Sequence, residues 1–191
     1  MVAGANVDER VEQMRAMYER YLGRKPTIDH DVWASERQTG NRNRAIAYLM
    51  LSRGIVEDRV EETLDLYFAQ CSVLVTADDL ALIGATIANH GISPLTGERV
   101  VAREVTRDML TVALTCGMYD YAGEWAFSVG IPAKSGVGGG ILAMLPGVGG
   151  MATFSPRLDD IGNSVRGLRV FEELSQRFDM HLFDPDRPWR R

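Results

Sequence analysis

Residues 130–147, "GIPAKSGVGGGILAMLPG", decide how this chain is read. Four of the five residues from 136 to 140 are glycine, and Lys134, one of only two lysines in the chain, stands just before them. The runs "GGGILAMLPG" and "GMATFSP" are apolar, short, and bounded by Gly and Pro. They are too short for helices and read as neighbouring buried strands, joined as a hairpin around residues 146–150. Two strands do not make a stable sheet alone, so a larger sheet is implied.

Outward from that stretch the texture changes. Seven of the 19 glycines precede residue 117 and twelve follow from there on. The N-terminal side reads as helices. "VDERVEQMRAMYERYLG" sets Val7, Val11, Met14, Met17, Tyr18, Tyr21 and Leu22 on one side and stops at Gly23. "NRNRAIAYLMLSRG", "EDRVEETLDLYFAQC" and "TRDMLTVALTCG" repeat the pattern. "TADDLALIGATIANHG" opens with Thr76 and Asp79 at capping-box spacing. On the C-terminal side, "NSVRGLRVFEELSQRF" puts Val165, Leu168, Phe171, Leu174 and Phe178 on one stripe. A helix following strands normally packs on their sheet. The expected organisation is a helical region over 1–120 and a sheet portion with a closing helix over 121–191, packed together as one partial domain.

Bulk properties exclude several classes. The 191 residues suffice for one ordinary domain with a core. A net charge of −5 and the lack of any basic cluster beyond the tail "DRPWRR" argue against a nucleic-acid partner. No apolar run approaches the ~18 residues of a membrane span. The start "MVAGANVDERVEQ" lacks the basic and apolar regions of a secretory signal, so a cytoplasmic location is expected. Cys71 and Cys116 lie in apolar helical patterns and are expected to be buried thiols, not a disulfide. His30, His90 and His181 show no metal-ligand spacing, so no metal is expected.

The glycine stretch invites two chemical readings. A phosphate loop needs Gly-Lys-Ser/Thr at its end, but Lys134 precedes the glycines. The formal GxGxxA at Gly138, Gly140 and Ala143 is cut short by Pro146. The alternative is Lys134-Ser135-Gly136. A Lys-Ser/Thr-Gly strand is one element of serine acyl-transfer enzymes of the β-lactamase and penicillin-binding type. Glycine flanks would let a backbone N–H approach a developing oxyanion without obstruction. A bare tripeptide could equally be a tight turn with a surface lysine.

Longer blocks carry a resemblance. "LTCGMYDYAGEWAFSVGIPAKSGVGGGIL", "SERQTGNRNRAIAYLM", "LDLYFAQCSVLVTADDLALIGATIANHGISPLTGERV" and "FSPRLDDIGNSVRGLRVFEEL" resemble, in order, the serine-dependent glutaminase family. The implied fold class is α/β (α+β), β-lactamase/transpeptidase-like. It would be a mostly helical region followed by two or three antiparallel strands and a C-terminal helix, with the N-terminal part of the fold missing. The resemblance implies L-glutamine as substrate and no cofactor. Glu36 would hold its α-ammonium and Asn43 its α-carboxylate, and Tyr67 would contact it. A spacing of seven puts Glu36 and Asn43 on one side if the chain between them is helical, which Gly40 makes uncertain. Periodicity alone makes Tyr67 a core aromatic beside Phe68. Tyr119 matches a tyrosine near the nucleophile, as general base or proton shuttle. A phenol of pKa about 10 is too weak a base unless a cation such as Lys134 lowers it. Val137 matches the residue whose N–H helps form the oxyanion hole, with Lys134, Ser135 and Gly136 in support.

One departure is plain. The family nucleophile is the serine of a Ser-x-x-Lys, yet Leu22 and Ile131 stand three residues before Lys25 and Lys134. The resemblance therefore implies only the C-terminal part of a glutaminase, truncated and inactive alone. Two alternatives stay open: a non-catalytic amino-acid-binding or partner-pairing module, and a hydrolase of a different amide. Homo-oligomerisation, as dimer or tetramer, is expected from the family and from an unfinished sheet.

Overall fold

The computed structural model describes residues 4–56 and 59–186. The basic tail after Asp186, residues 1–3, and residues 57–58 at the start of the third sequence-read helix lie outside them. The chain divides into two compact units, Met1–Val75 and Thr76–Arg191. The compositional change at Gly117 falls inside the second unit.

The first unit is helical: α1 (Val7–Leu22), α2 (His30–Thr39), α3 (Asn41–Ser52) and α4 (Val60–Cys71). The first three pack against α4. Asn6 caps α1 through its side chain, and Gly23 ends it in the left-handed conformation. Val11 and Met14 bury against Ala69, while Phe68 and Leu64 form a second cluster with Trp33 and Leu51. Gly40 separates α2 from α3 with φ −72° and ψ 36°. A side chain there would come within 2.4 Å of the Phe68 ring. The chain between Glu36 and Asn43 is therefore not one helix, and the spacing argument for their shared face lapses. Helix α2 buries no residue fully, and the sequence suggested it only as part of a single helix shared by Glu36 and Asn43. It is set instead by Asp29, whose carboxylate accepts from the N–H groups of Asp31 and Val32.

The second unit holds α5 (Ala77–Ala88), α6 (Arg103–Cys116), a 3-10 turn (Tyr119–Tyr121), α7 (Ala122–Ser128), strands β1 (Ala133–Ser135), β2 (Gly140–Leu145) and β3 (Gly149–Phe154), and α8 (Val165–Phe178). The capping box of Thr76 and Asp79 forms as its spacing predicts. The sheet is antiparallel in the order β1-β2-β3, and the hairpin turns where expected, with Leu145 opposite Gly149. Lys134-Ser135 supplies the third strand, with Ser135 opposite Ile141.

Alternation gives the sheet two apolar faces. Ile141, Ala143 and Leu145 meet Phe171 of α8 and Trp125 of α7, with Leu168 and Leu174 alongside. On the other face Leu142 meets Gly84 of α5. Gly150 lets α5 lie directly on β3, since a Cβ there would sit 2.1 Å from the Ala85 nitrogen. Trp125 is fully buried, and its indole N–H donates to Ile131 O at 2.7 Å. The α8 stripe is buried only at its centre: Phe171 is enclosed, while Val165 and Phe178 at the ends are exposed.

Cys71 and Cys116 are exposed, contrary to the burial their apolar context suggested, and neither is in a disulfide. Each is the last residue of its helix, where the apolar stripe no longer decides which side faces the core.

Candidate functional site

The second unit brings three segments around the glycine stretch. Helix α6 ends at Gly117, which passes so close to β1 that a Cβ would lie 1.7 Å from Ala133 O. The Gly117 carbonyl accepts from the Ser135 N–H at 3.0 Å, fixing the turn to the strand. Met118 is fully buried and anchors the next step. Tyr119 then takes φ +53°, a left-handed conformation that a tyrosine rarely adopts. The Lys134 ammonium lies 4.5 Å from the Tyr119 ring centroid and also donates to Ser135 O.

Strand alternation sends Lys134 outward and Ser135 inward. Ser135 is only 2 % exposed, and its Oγ has no hydrogen-bond partner among the described residues. The β1–β2 turn closes through Gly136 N–H to Gly140 O and Gly139 N–H to Gly136 O, both 2.9 Å. At its tip Val137 is 70 % exposed. None of the described residues accepts a hydrogen bond from the Val137 N–H. Gly136 and Gly138 flank it with open space where a Cβ would stand. A glycine-flanked amide donor with no acceptor among the described residues can bind an anion or an oxygen acquiring charge.

The third segment is the loop at residues 159–163, which the sequence reading did not single out as part of the site. Gly162 has φ +104°, and a Cβ on it would touch Val137 Cγ1 at 3.5 Å and Tyr119 Cε2 at 4.0 Å. The Asp159 carboxylate accepts from the N–H groups of Ile161, Gly162 and Asn163 at 3.0, 2.8 and 2.9 Å. Asn163 is fully buried and donates from Nδ2 to Met118 O at 3.4 Å. The signal available in sequence was the Asp-x-x-Gly-Asn of "DDIGNS", a loop-forming pattern with no mark of what it would touch.

The first unit carries the other named residues. Glu36 sits on α2 and Asn43 in the first turn of α3, both half-buried. Tyr67 is on α4, 46 % exposed, with its ring edge-on to Phe68 at 5.9 Å. Phe68 is the core aromatic and Tyr67 is not, so the periodicity reading of Tyr67 is corrected. The residues beside Glu36 and Asn43 are tied together. Arg37 pairs with Asp65 and stacks 4.1 Å over the Trp33 ring. Arg44 donates to Arg37 O at 2.6 Å and lies 3.7 Å from Glu61. A groove of about 350 Å³ runs between Arg37, Arg44, Glu61, Glu62 and Asp65. In the second unit a concavity of about 460 Å³ is lined by Ser128, His181 and Phe183. No named site residue lines either of them. Among the described residues no group of His, Cys, Asp and Glu could hold a metal ion, and no helix is long and apolar enough to cross a membrane.

Comparison with known proteins adds a family. A family model described as Glutaminase matches residues 1–183. A glutaminase of Microcystis aeruginosa is 52% identical over 190 residues, 100% of this chain and 56% of that protein. One from Nostoc is 53% identical over 184 residues, 96% of this chain and 55% of that one. The chain thus spans about half the length of the curated relatives it matches. Among solved structures, a Bacillus subtilis glutaminase in covalent complex with 5-oxo-L-norleucine, formed by reaction with 6-diazo-5-oxo-L-norleucine, aligns at TM-score 0.91. It is 36% identical, over 95% of this chain and 65% of that one. Mglu in its glutamate form aligns at TM-score 0.90 with 44% identity, over 95% of this chain and 42% of that one.

Proposed function

Since this chain belongs to the glutaminase family and shares its β-lactamase-like fold, we propose that it carries the substrate-recognition and oxyanion-stabilising residues of an enzyme that hydrolyses L-glutamine to L-glutamate and ammonia. The observation that carries the reading is Val137, exposed at the tip of a glycine turn, whose N–H finds no acceptor among the described residues. In the proposed reaction a serine hydroxyl attacks the side-chain carboxamide carbon. The C=O electrons move onto oxygen, which the Val137 N–H stabilises. The intermediate then expels ammonia and leaves an acyl-serine, and water releases glutamate. Tyr119 is the proton shuttle, with the Lys134 ammonium 4.5 Å from its ring centroid. Glu36 pairs with the α-ammonium, Asn43 donates to the α-carboxylate, and Tyr67 contacts the bound amino acid. Ser135 and Gly136 support the turn.

The 191 residues contain no Ser-x-x-Lys, so in this proposal the attacking hydroxyl is not among them. The proposal includes a cytoplasmic location, the homo-oligomer expected of the family, and the grouping of the helical 1–120 and sheet-bearing 121–191 regions in one domain. The relative found in covalent complex with 5-oxo-L-norleucine, formed by reaction with 6-diazo-5-oxo-L-norleucine, supports a nucleophile in the family's site. The test is calorimetric titration of the purified chain with L-glutamine and L-glutamate, alongside ammonia release. Saturable binding with background ammonia is expected. Glu36→Gln removes a charge-assisted contact and should weaken binding about 10- to 100-fold. Absence of binding to both amino acids refutes the recognition role, and robust turnover by this chain refutes the assignment of the nucleophile.

A further inference from the structure

In the loop at residues 159–163, a Cβ built on Gly162 would meet both Val137 Cγ1 at 3.5 Å and Tyr119 Cε2 at 4.0 Å, so the loop lies beside both residues. Gly162 presents its Cα side to both, and its φ of +104° is one that only glycine adopts easily. What holds the loop in this shape is one carboxylate. Three consecutive N–H groups converge on Asp159 Oδ1, and the Asp159 N–H donates to Asn163 O at 2.8 Å. The loop's far end is tied as well, because Asn163 Nδ2 reaches Met118 O, one residue before Tyr119. The segment is closed at its base by the pairing of Leu158 with Ser164.

We infer that Asp159 is a positioning residue: its carboxylate clamps the 159–163 loop so that Gly162 and Asn163 set the placement of Tyr119 and of the Val137 turn. It acts through the loop, whose N–H groups its carboxylate holds. Two features of the pair make such support necessary. Tyr119 holds a left-handed backbone that persists only where its surroundings over-determine it. None of the described residues offers the Val137 N–H a backbone acceptor that would hold the tip. A donor left without a partner is useful only if its direction is fixed by neighbours. Gly162 stands beside the Val137 side chain and the Tyr119 ring, and Lys134 lies over that ring.

The inference rests on the proposed function for its meaning, so the experiment reads geometry and binding separately. Two-dimensional amide NMR of the full chain compares wild type with Asp159→Ala, Asp159→Asn and Gly162→Ala, and each is titrated with L-glutamate. Asp159→Ala is expected to move the Val137 and Tyr119 amide resonances and to weaken glutamate binding roughly tenfold. Asp159→Asn keeps one acceptor oxygen and should return both readouts most of the way to wild type. A purely structural role would lower thermal stability without moving those two resonances selectively. Unchanged Val137 and Tyr119 resonances in well-folded Asp159→Ala overturn the inference. If that variant does not fold, Gly162→Ala decides, because it must shift the same two resonances for the inference to stand. If wild type binds no glutamate, the recognition role fails, and the resonance arm still settles the role of Asp159.

Discussion

Tyr119 shows how a single residue stores conformational cost at a candidate site. Its φ of +53° is disfavoured for any side chain with a Cβ by about 1–2 kcal/mol. The surroundings that enforce it are Met118, buried behind it, and Asn163, bonded to the Met118 carbonyl. A direct consequence separates backbone from side chain. Tyr119→Gly should be more stable than Tyr119→Ala by about 1 kcal/mol, because only glycine enters this region freely. Urea denaturation of the two variants measures it. Equal stabilities would mean that the backbone relaxes once the ring is gone. At this scale the chemistry of Lys134, Ser135, Gly136 and Val137 was legible as residue types. Nothing in the sequence said that Gly162 would stand against two of the site residues, since that contact joins segments far apart along the chain.

Elements were legible where a local rule dictated them. The hairpin follows from Pro146 and Gly147 between two apolar runs, and α5 follows from its capping box. Helix α2 was legible only as part of a longer helix that Gly40 in fact divides, and α6 begins at Arg103, a few residues before its sequence-read start. Packing between α5 and the sheet depends on glycine at one point. Gly150→Ala places a methyl against the backbone of residues 81–85, which cannot swing aside as a side chain would. The variant should lose about 1–3 kcal/mol in chemical denaturation, and a loss under about 0.5 kcal/mol would mean that α5 does not sit on β3. Helix α1 carries a pH signature. Burial pushes the Tyr18 and Tyr21 hydroxyls above the ordinary phenol range. With folded values above the unfolded value of about 10, their stabilisation is fully present below that pH. It is lost as pH rises through the folded values. Circular dichroism should therefore show alkaline unfolding, and the double change Tyr18→Phe and Tyr21→Phe should move it to higher pH.

On the scale of the molecule, the second unit is organised around Trp125, Phe171 and the sheet face between them. Both rings are fully enclosed, 5.5 Å apart and near edge-to-face, and Trp125 also holds the Ile131 carbonyl. Trp125→Ala should cost about 3–5 kcal/mol, enough to lower the melting temperature by about 10 °C or more. A melting temperature unchanged within error would show that this cluster is not the core of the unit.

What the chain specified by itself is what short segments can specify. Caps, turns and apolar periods act over a few residues, so the helices with stripes, the β2–β3 hairpin and the family pattern of "KSGVGGG" could be read in advance. Solvent exposure of the two cysteines, the core role passing from Tyr67 to Phe68, and the left-handed turn of Tyr119 came only with tertiary packing. So did the meeting of residues 159–163 with the glycine turn. These depend on which distant segment fills a given space, and packing settles that choice through many weak contacts, none of which any local stretch encodes alone.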